Sequence, residues 1–564
     1  MSAWGPTLLD GGRTGFRLWA PDRDAVTLEI DGGEPTLMQR HDDGWFTAEA
    51  QAPAGTRYRF RLDADLAVPD PASRAQHGGV HGWSVVVDPA HDWQHVDWRG
   101  RPWEETVVME LHAGILGGFA GVMARLPEIA ALGVTAIQLM PVNAFGGTRN
   151  WGYDGVLPYA PAEAYGTPAA LKALIDAAHG HGLSVFLDVV YNHFGPDGNY
   201  LGAYAGDFFH GNVDTPWGGA VAVDADPVHR FFVDNALMWL NEYRFDGLRF
   251  DAVHAIANDA FLDRMAREIR AALPDRHVHL VLENENNDAD RLGAGLYDAQ
   301  WNDDFHNVLH VLLTGETSAY YSDFADKPAE RLARCLEQGF IYQGEGSPNH
   351  DGKPRGKPSA HLPATRFVSF LQNHDQIGNR AMGERLTLLT DTDKLRAATA
   401  LLLLAPQIPL IFMGDETGSE APFLFFTDFH DELADAVREG RRKEFAKFDA
   451  FADPEARKRI PDPNARDTFT RSMPLPGPQA DSWRDLYSAL LALRREHIVS
   501  RLSGTKGMAA RALGDARVEA QWQLADGATL TIVIDLADMP EPLPDRAGEL
   551  LHAEGDRFAA WLRA

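Results

Sequence analysis

The segment "FDGLRFDAVHAI" (245–256) places the guanidinium of Arg249 two positions before the carboxylate of Asp251, and His254 follows. Alternate side chains of a strand point to the same face, so Arg249 and Asp251 would lie side by side. An isolated pair of this kind is most often a structural salt bridge. Further carboxylates at the same edge of a sheet would instead favour acid–base chemistry.

Three other apolar runs also end in side chains that could do chemistry. These side chains are Asp188, Asn192 and His193, then Glu283, and finally Asn373, His374 and Asp375. Three carboxylates in one cleft suit hydrolysis of an acetal, with an ionised nucleophile, a protonated acid and a group that binds substrate hydroxyls. Arg249 would keep Asp251 ionised. The apolar run before Glu283 would raise the pKa of that carboxyl, as a proton donor requires.

Two other kinds of site compete with this interpretation. Asp188, Asn192 and His193 would be candidate metal ligands, although the spacing DxxxNH is not a strong metal motif. The glycine-rich "GILGGFAG" lacks the Lys-Ser/Thr that a phosphate-binding loop needs. We therefore expect neither a metal ion nor a cofactor.

The identity of the acid and the role of the loop aromatics are also open. Glu285 lies two residues after Glu283 and would share its face in an extended segment, but Glu283 follows the apolar run directly and is favoured. Several aromatic side chains fall in loops, where they would either pack locally or stack on sugar rings; they are Trp151, Tyr153, Tyr165, Trp217 and Tyr342.

The elements that would position these residues form a repeating pattern from residue 106 onward. Eight apolar runs of strand length alternate with amphipathic segments of helix length. This pattern predicts an α/β fold with a (β/α)8 TIM barrel, and a doubly wound sheet is the weaker alternative. In such a barrel the chemistry lies at the carboxyl ends of the strands, where the acidic residues fall.

The segments on either side of the barrel differ from it in their pattern of polar and apolar residues. Residues 1–95 alternate polar and apolar positions between turns and predict an N-terminal β-sandwich of carbohydrate-binding or early-set type. Residues 96–500 would form the catalytic barrel. Residues 501–564 predict a small C-terminal β domain, which we expect to be a second sandwich covering the barrel.

Composition excludes several classes of partner. The net charge is −29 and no basic block is present, which argues against nucleic acid and anionic membranes and suits a neutral ligand. The single Cys335 rules out an intramolecular disulfide. The longest apolar stretch, 397–414, is interrupted by Pro406 and Pro409 and predicts a helix followed by a buried strand. The N-terminal segment has no signal-peptide pattern, so we expect a cytoplasmic protein.

Four segments resemble, in the same order, the signature segments of the alpha-amylase family of retaining glycoside hydrolases: "DVVYNH", "DGLRFDAV", "VLENEN" and "FLQNHD". The resemblance implies that Asp251 is the nucleophile, Glu283 the general acid/base and Asp375 the aspartate that stabilises the transition state. The side chains that it places around the bond to be cut are His193, Arg249 and His374.

Further stretches, among them "NWGYDGVLPYAPAEAYGTP" and "TPWGGA", resemble the members of that family that release trehalose from maltooligosyltrehalose, an α-glucan oligosaccharide. The resemblance implies a cytoplasmic enzyme without a cofactor, and a maltooligosyltrehalose synthase as its functional partner. The remaining candidates for substrate binding are Tyr153, His254, Trp217, Tyr342, Gln343, Gln376 and Glu384.

Two alternative functions are also compatible with the sequence. Another enzyme of the same family, of the glycogen branching, debranching or amylase type, would share the four segments. A catalytically silent glucan-binding barrel is less expected, because all three acid positions hold Asp or Glu.

Overall fold

A closed barrel of eight parallel strands forms the centre of the computed structural model, which describes residues 4–564 apart from 216, 217, 257, 294 and 448. In chain order the strands are Val108–Leu111, Ala136–Leu139, Ser184–Val189, Gly247–Phe250, His279–Leu282, Ala299–Trp301, Phe367–Phe370 and Ile408–Phe412. Each lies inside one of the eight apolar runs, so the prediction of a TIM barrel is confirmed. The strands are mainly apolar because parallel barrel strands are covered on both faces, and their buried polar exceptions include Glu110, Gln138 and Arg249.

Helices cover the outside of the barrel. The longer ones, in chain order, are Gly118–Leu132, Pro168–Gly180, Asp226–Leu237, Asp259–Ala272, Asp303–Thr314, Pro328–Gln338, Thr392–Leu404 and Ala480–Leu493. A further helix of 14 residues, Asp431–Glu444, follows the eighth strand and ends at the large cleft described below. The connection after the fifth strand differs, because its described residues contain only one short turn, Ala289–Leu292. That segment, "ENENNDADRLGAG", is polar and has no amphipathic period, so it has no apolar face to bury.

The starts of several barrel helices are set by capping side chains. Thr167 accepts a hydrogen bond from the amide of Ala170 (3.1 Å), and Asn258 accepts one from the amide of Phe261 (3.0 Å). Each cap satisfies an amide that the first helical turn leaves without a partner. These caps determine where the chain leaves the loops at the carboxyl ends of the strands.

The N-terminal part is a pair of antiparallel sheets, as predicted. One contains Thr7–Leu9, Arg13–Trp19, Trp45–Gln51 and Gln39–Arg40, in that spatial order. The other contains Thr36–Leu37, Thr27–Ile30, Arg57–Arg61, Trp83–Val85 and Gln76–His77, with Ala67–Val68 beside Arg57–Arg61. Trp4 joins this part to the barrel: its Nε1 donates to the carbonyl of Pro227 (3.1 Å), and its ring contacts Phe231 (4.9 Å).

The C-terminal β domain is one sheet and not the sandwich that we expected. Its antiparallel strands, in spatial order, are Lys506–Ala512, Arg517–Gln523, Thr529–Asp535, Phe558–Arg563 and Glu549–Glu554. The sheet packs on two barrel helices, Pro328–Gln338 and Thr392–Leu404. Because these helices cover its apolar face, the sheet needs no second sheet to bury it.

The stretch 397–414 forms the end of helix Thr392–Leu404 and then the eighth barrel strand, in agreement with the prediction. Across the described part of the chain, the structure contains no helix with the length and apolar character needed to cross a membrane. Cys335 is buried within helix Pro328–Gln338 and has no disulfide partner.

Candidate active site

A cleft of about 620 Å³ opens at the carboxyl ends of the barrel strands. Asp251, Glu283 and Asp375 all line it, although they follow three different strands, the fourth, fifth and seventh. The barrel therefore brings together the three carboxylates that the sequence singled out.

Arg249 connects two of these carboxylates, Asp251 and Glu283, from below. Its Nη1 donates to both oxygens of Asp188 (2.8 and 2.7 Å) and to Oδ1 of Asp251 (2.8 Å), and its Nη2 lies 3.0 Å from Oε2 of Glu283. The guanidinium is fully buried and lies over the ring of Trp301, 4.2 Å from its centroid. Arg249 thus forms part of the floor of the cleft.

The carboxylate of Asp251 is held on both sides. Its Oδ1 accepts the bond from Arg249, and its Oδ2 accepts one from Nδ2 of Asn192 (3.0 Å). The side chain remains 12% exposed, so one edge of the carboxylate is open to the cleft. A carboxylate that is fixed in orientation and still accessible has the geometry of a nucleophile.

Glu283 lies beside Asp251 in a different electrostatic environment. Its Oε2 accepts a hydrogen bond from the amide of Ala252 (2.7 Å). Burial raises the pKa of Glu283 well above its usual range; Arg249 opposes the rise, and the negative charge of Asp251 adds to it. This is the environment of a proton donor.

Glu285, the alternative acid, lies further out. Its side chain is 56% exposed and stands 3.6 Å from Nε2 of His254 and 3.5 Å from Nε2 of His350. The structure therefore places Glu283, and not Glu285, against Arg249 and Asp251.

Asp375 is positioned by a short capped helix. The helix His374–Gly378 begins after Asn373, whose Oδ1 accepts hydrogen bonds from the amides of Asp375 (2.8 Å) and Gln376 (3.4 Å). Burial disfavours the charged form of Asp375, but Nε2 of His374, 3.3 Å from its Oδ2, outweighs this effect and lowers the pKa of Asp375. The two acids therefore differ: the pKa of Glu283 is raised and that of Asp375 is lowered.

Tyr153 and His193 complete the wall next to His374. The hydroxyl of Tyr153 donates to Oδ2 of Asp188 (2.7 Å), and its ring stacks on His374 with the centroids 5.1 Å apart. Nε2 of His193 lies 2.9 Å from the carbonyl of Tyr153, and burial lowers the pKa of this imidazole. Burial raises the pKa of Asp188 to about 7, and the bonds that both of its oxygens accept from Arg249 oppose this rise.

The structure divides the remaining candidates for substrate binding into three groups. His254 and Gln376 line the cleft. Three others are not among the residues that line it: Tyr342 donates to the carbonyl of Asp323 (2.9 Å), Gln343 to that of Phe340 (2.8 Å), and Glu384 pairs with Arg380 (3.2 Å). Trp217 lies outside the described residues. In the described chain, no group of three or more His, Cys, Asp or Glu side chains is arranged to hold a metal ion.

Comparison with known proteins agrees with this geometry. Residues 83–205 match the alpha-amylase catalytic domain, and residues 506–560 match a domain of unknown function, DUF3459. The chain is 41% identical to the malto-oligosyltrehalose trehalohydrolase of Rhizobium sp. (strain M-11), over 95% of this chain and 93% of that protein. It is 40% identical to the malto-oligosyltrehalose trehalohydrolase of Saccharolobus solfataricus, over 87% of this chain and 86% of that protein. The chain belongs to the malto-oligosyltrehalose trehalohydrolase family.

The fold is shared with a solved structure throughout its length. The crystal structure of a putative alpha-amylase from Salmonella typhimurium superimposes with a TM-score of 0.94 at 44% identity, and the match covers 100% of both chains. The barrel, the N-terminal sheets and the C-terminal sheet of this member of the trehalohydrolase family are thus arranged as in that structure.

The cleft of this trehalohydrolase-family chain contains charged residues that the sequence analysis missed. Asp303 accepts a hydrogen bond from Nε2 of Gln376 (3.3 Å), and burial together with Asp375 raises its pKa to about 7. Arg355 also lines the cleft, with its guanidinium 5.3 Å from the ring of Tyr342. Glu110, on the first strand, bonds to His374 beneath the cleft. A charged residue inside the apolar run "TVVMELH" was the available signal for Glu110.

Proposed function

We propose that the chain is a retaining glycoside hydrolase that cleaves the α-1,4 bond next to the terminal trehalose of maltooligosyltrehalose and releases trehalose. The observation that carries the proposal is that Arg249 holds Asp251 and Glu283 in one cleft, where Asp251 accepts bonds from Arg249 and Asn192 and burial raises the pKa of Glu283. Two carboxyl groups with different protonation states on either side of one bond are what acetal hydrolysis needs. The choice of substrate rests on the relatives, which are named for it.

The reaction would proceed in two steps. Asp251 attacks the anomeric carbon while Glu283 protonates the oxygen of the departing trehalose, and a covalent glycosyl-enzyme forms. Glu283, now ionised, takes a proton from water as the water attacks the same carbon and displaces Asp251, so the anomeric configuration is retained. Asp375 accepts hydrogen bonds from sugar hydroxyls and stabilises the positive charge of the transition state.

The substrate would be held by layers of side chains. Tyr153, His193 and His374 surround the reacting sugar, with Arg249 fixing the acids from below. His254 and Gln376 contact the sugar units beyond the cleavage point from the cleft wall. Of the residues that do not line the cleft, Tyr342 would act through Arg355, which does line it. Glu384 would act by holding Arg380, and Gln343 by securing its loop. Trp217 is kept as a candidate because of the "TPWGGA" motif.

The activity also implies a cellular setting. We infer a cytoplasmic enzyme that needs no cofactor and that works after a maltooligosyltrehalose synthase. Neither nucleic acid nor a membrane enters the reaction, in keeping with the net charge of −29.

The test compares maltooligosyltrehalose with the linear maltooligosaccharide of equal length. Polar groups shaped for the angled trehalose unit would be left unpaired by a linear chain, so discrimination is steep. We expect kcat/KM to favour maltooligosyltrehalose by at least about tenfold, or ~1.4 kcal/mol of transition-state binding, with trehalose as the product. Asp251→Asn is the matched inactive control. Equal kcat/KM values on the two substrates, or transfer of glucan without release of trehalose, would overturn the proposal.

A further inference from the structure

Glu110 is a buried carboxyl group that the reaction itself does not use. It lies on the first barrel strand and is fully enclosed. Its Oε1 is 2.7 Å from Nδ1 of His374, and its Oε2 accepts a hydrogen bond from the amide of the same residue (3.1 Å). Glu110 therefore holds both the ring and the backbone of His374.

The other ring nitrogen of His374 also faces acceptors. Nε2 is 2.8 Å from the hydroxyl oxygen of Tyr153 and 3.3 Å from Oδ2 of Asp375. The hydroxyl hydrogen of Tyr153 is donated to Asp188, so the oxygen can only accept from His374. A neutral imidazole has one N–H and cannot donate on both sides. With Glu110 ionised, only an imidazolium satisfies every one of these contacts; a neutral ring satisfies them only if Glu110 carries the proton.

The charges around His374 favour a cation. Carboxyl groups face it from three elements: Glu110 on the first strand, Asp188 on the third, and Asp375 after the seventh. The facing cations are Arg249, which Asp188 and Asp251 neutralise, and His112, whose pKa burial lowers to about 4. Burial disfavours the imidazolium, but Asp375 and Glu110 outweigh it and raise the pKa of His374 well above its usual range.

We propose that Glu110 is a positioning residue that keeps His374 doubly protonated and, through His374, keeps Asp375 ionised. The inference rests on the proposed function only in giving Asp375 a role in catalysis. The competing arrangement places the proton on Glu110 and leaves His374 neutral. The two arrangements differ in the charge of His374 beside Asp375: the ring is a cation in the proposed arrangement and neutral in the competing one.

The experiment is the pH profile of kcat/KM for Glu110→Gln. The glutamine amide can donate to Nδ1 while its carbonyl accepts the amide of His374, so both contacts survive and only the charge is lost. Without its cation, Asp375 is protonated at a higher pH. The acidic limb is the fall of kcat/KM at low pH, and we expect its midpoint to move up by about one pH unit. At a pH below the midpoint, kcat/KM should then be about tenfold lower than in the wild type. The basic limb, which reports Glu283, stays in place.

Two variants separate charge from structure. Asp415→Asn neutralises another buried carboxyl group, which pairs with Arg385 and does not contact His374, and it should leave the acidic limb unchanged. Glu110→Asp keeps the charge and should keep the wild-type limb even if kcat falls. An unchanged limb in Glu110→Gln would overturn the proposal. The profile can be measured on any substrate that the protein hydrolyses, so failure of the trehalose assignment would leave this test intact.

A direct measurement covers the case in which Glu110→Gln does not fold. The ¹⁵N shifts of the imidazole nitrogens in histidine-labelled wild-type protein report protonation, and His374→Gln identifies the signals of His374. Two protonated nitrogens at pH 8 are expected. A neutral ring at that pH would overturn the proposal.

Discussion

Arg249 shows why single residues in this cleft carry functional information. A guanidinium without exposure to water costs several kcal/mol in desolvation, which its ion pairs offset only when their geometry is good. Here the same side chain meets Asp188, Asp251 and Glu283. A barrel selected for stability alone would be served as well by apolar side chains at these positions. The pair of Arg249 and Asp251 is thus part of a larger network that orients the proposed nucleophile and acid.

The two glutamates of "VLENEN" give a prediction at the residue scale. Glu283→Gln should lose about 10²–10⁴-fold in kcat, because it removes the general acid. Glu283 acts in its protonated form, so activity should fall as the pH rises through its raised pKa. This fall at high pH is the basic limb of the profile, and Glu283→Gln should lack it. The measurement is the pH profile of kcat/KM.

Glu285→Gln is the matched control for that experiment, since it neutralises an exposed carboxylate two residues away. It should retain most of the activity and the basic limb. Reversed behaviour of the two variants would move the acid from Glu283 to Glu285.

At the scale of elements, the loops after the strands do the positioning. The connection after the fifth strand has no long helix among its described residues, which leaves room for the loop 344–357 that carries His350 and Arg355 to the cleft. The helix His374–Gly378 is short, and its start depends on the Asn373 cap. A local change at either place should affect catalysis more than stability.

The Asn373 cap gives a prediction at the element scale. Asn373→Ala removes the acceptor for the amides of Asp375 and Gln376, which should cost about 1 kcal/mol in the free energy of unfolding and lower kcat by misplacing Asp375. Asn373→Ser restores a capping oxygen and should recover much of the activity. Denaturant unfolding and steady-state kinetics measure the two effects. Equal kcat in the alanine and serine variants would show that the cap does not position Asp375.

At the scale of the whole molecule, the C-terminal sheet is held to the barrel by its buried face. Trp522 is fully buried, and its Nε1 donates to the carbonyl of Leu336 (3.0 Å) at the end of a barrel helix. The sheet does not line the cleft. We therefore assign it to stability and not to chemistry. The domain limits at residues 95 and 500 stay predictions.

Trp522→Ala tests this assignment. Loss of a large buried ring should lower the free energy of unfolding by about 3–5 kcal/mol, while kcat/KM of the folded protein stays unchanged. Leu550→Ala, in the exposed part of the same sheet, is the control and should have little effect. Thermal unfolding and activity at 25 °C measure both. A fall in kcat/KM without loss of stability would show that the sheet contributes to the cleft.

Most of the elements, and the acids that end the strands, could be predicted from the sequence alone. The eight apolar runs, the alternation of the N-terminal strands and the positions of Asp251, Glu283 and Asp375 follow from local periodicity and from the rule that chemistry lies at the carboxyl ends of barrel strands. The sandwich expected at the C-terminus was wrong, because the pattern of a strand does not say whether a sheet or a helix covers its face.

Contacts between side chains that are distant in the chain could not be predicted in this way. Glu110 and His374 are 264 positions apart in the chain and come into contact because the first and seventh strands both border the eighth in the closed barrel. The closure of the barrel also explains the contact of Arg249 with Glu283 and the placement of Asp303 in the cleft. It likewise leaves Tyr342, Gln343 and Glu384 outside the lining of the cleft. Local periodicity states which face of a strand a residue occupies, whereas the partner across the barrel depends on how the strands close and how far they are shifted against each other.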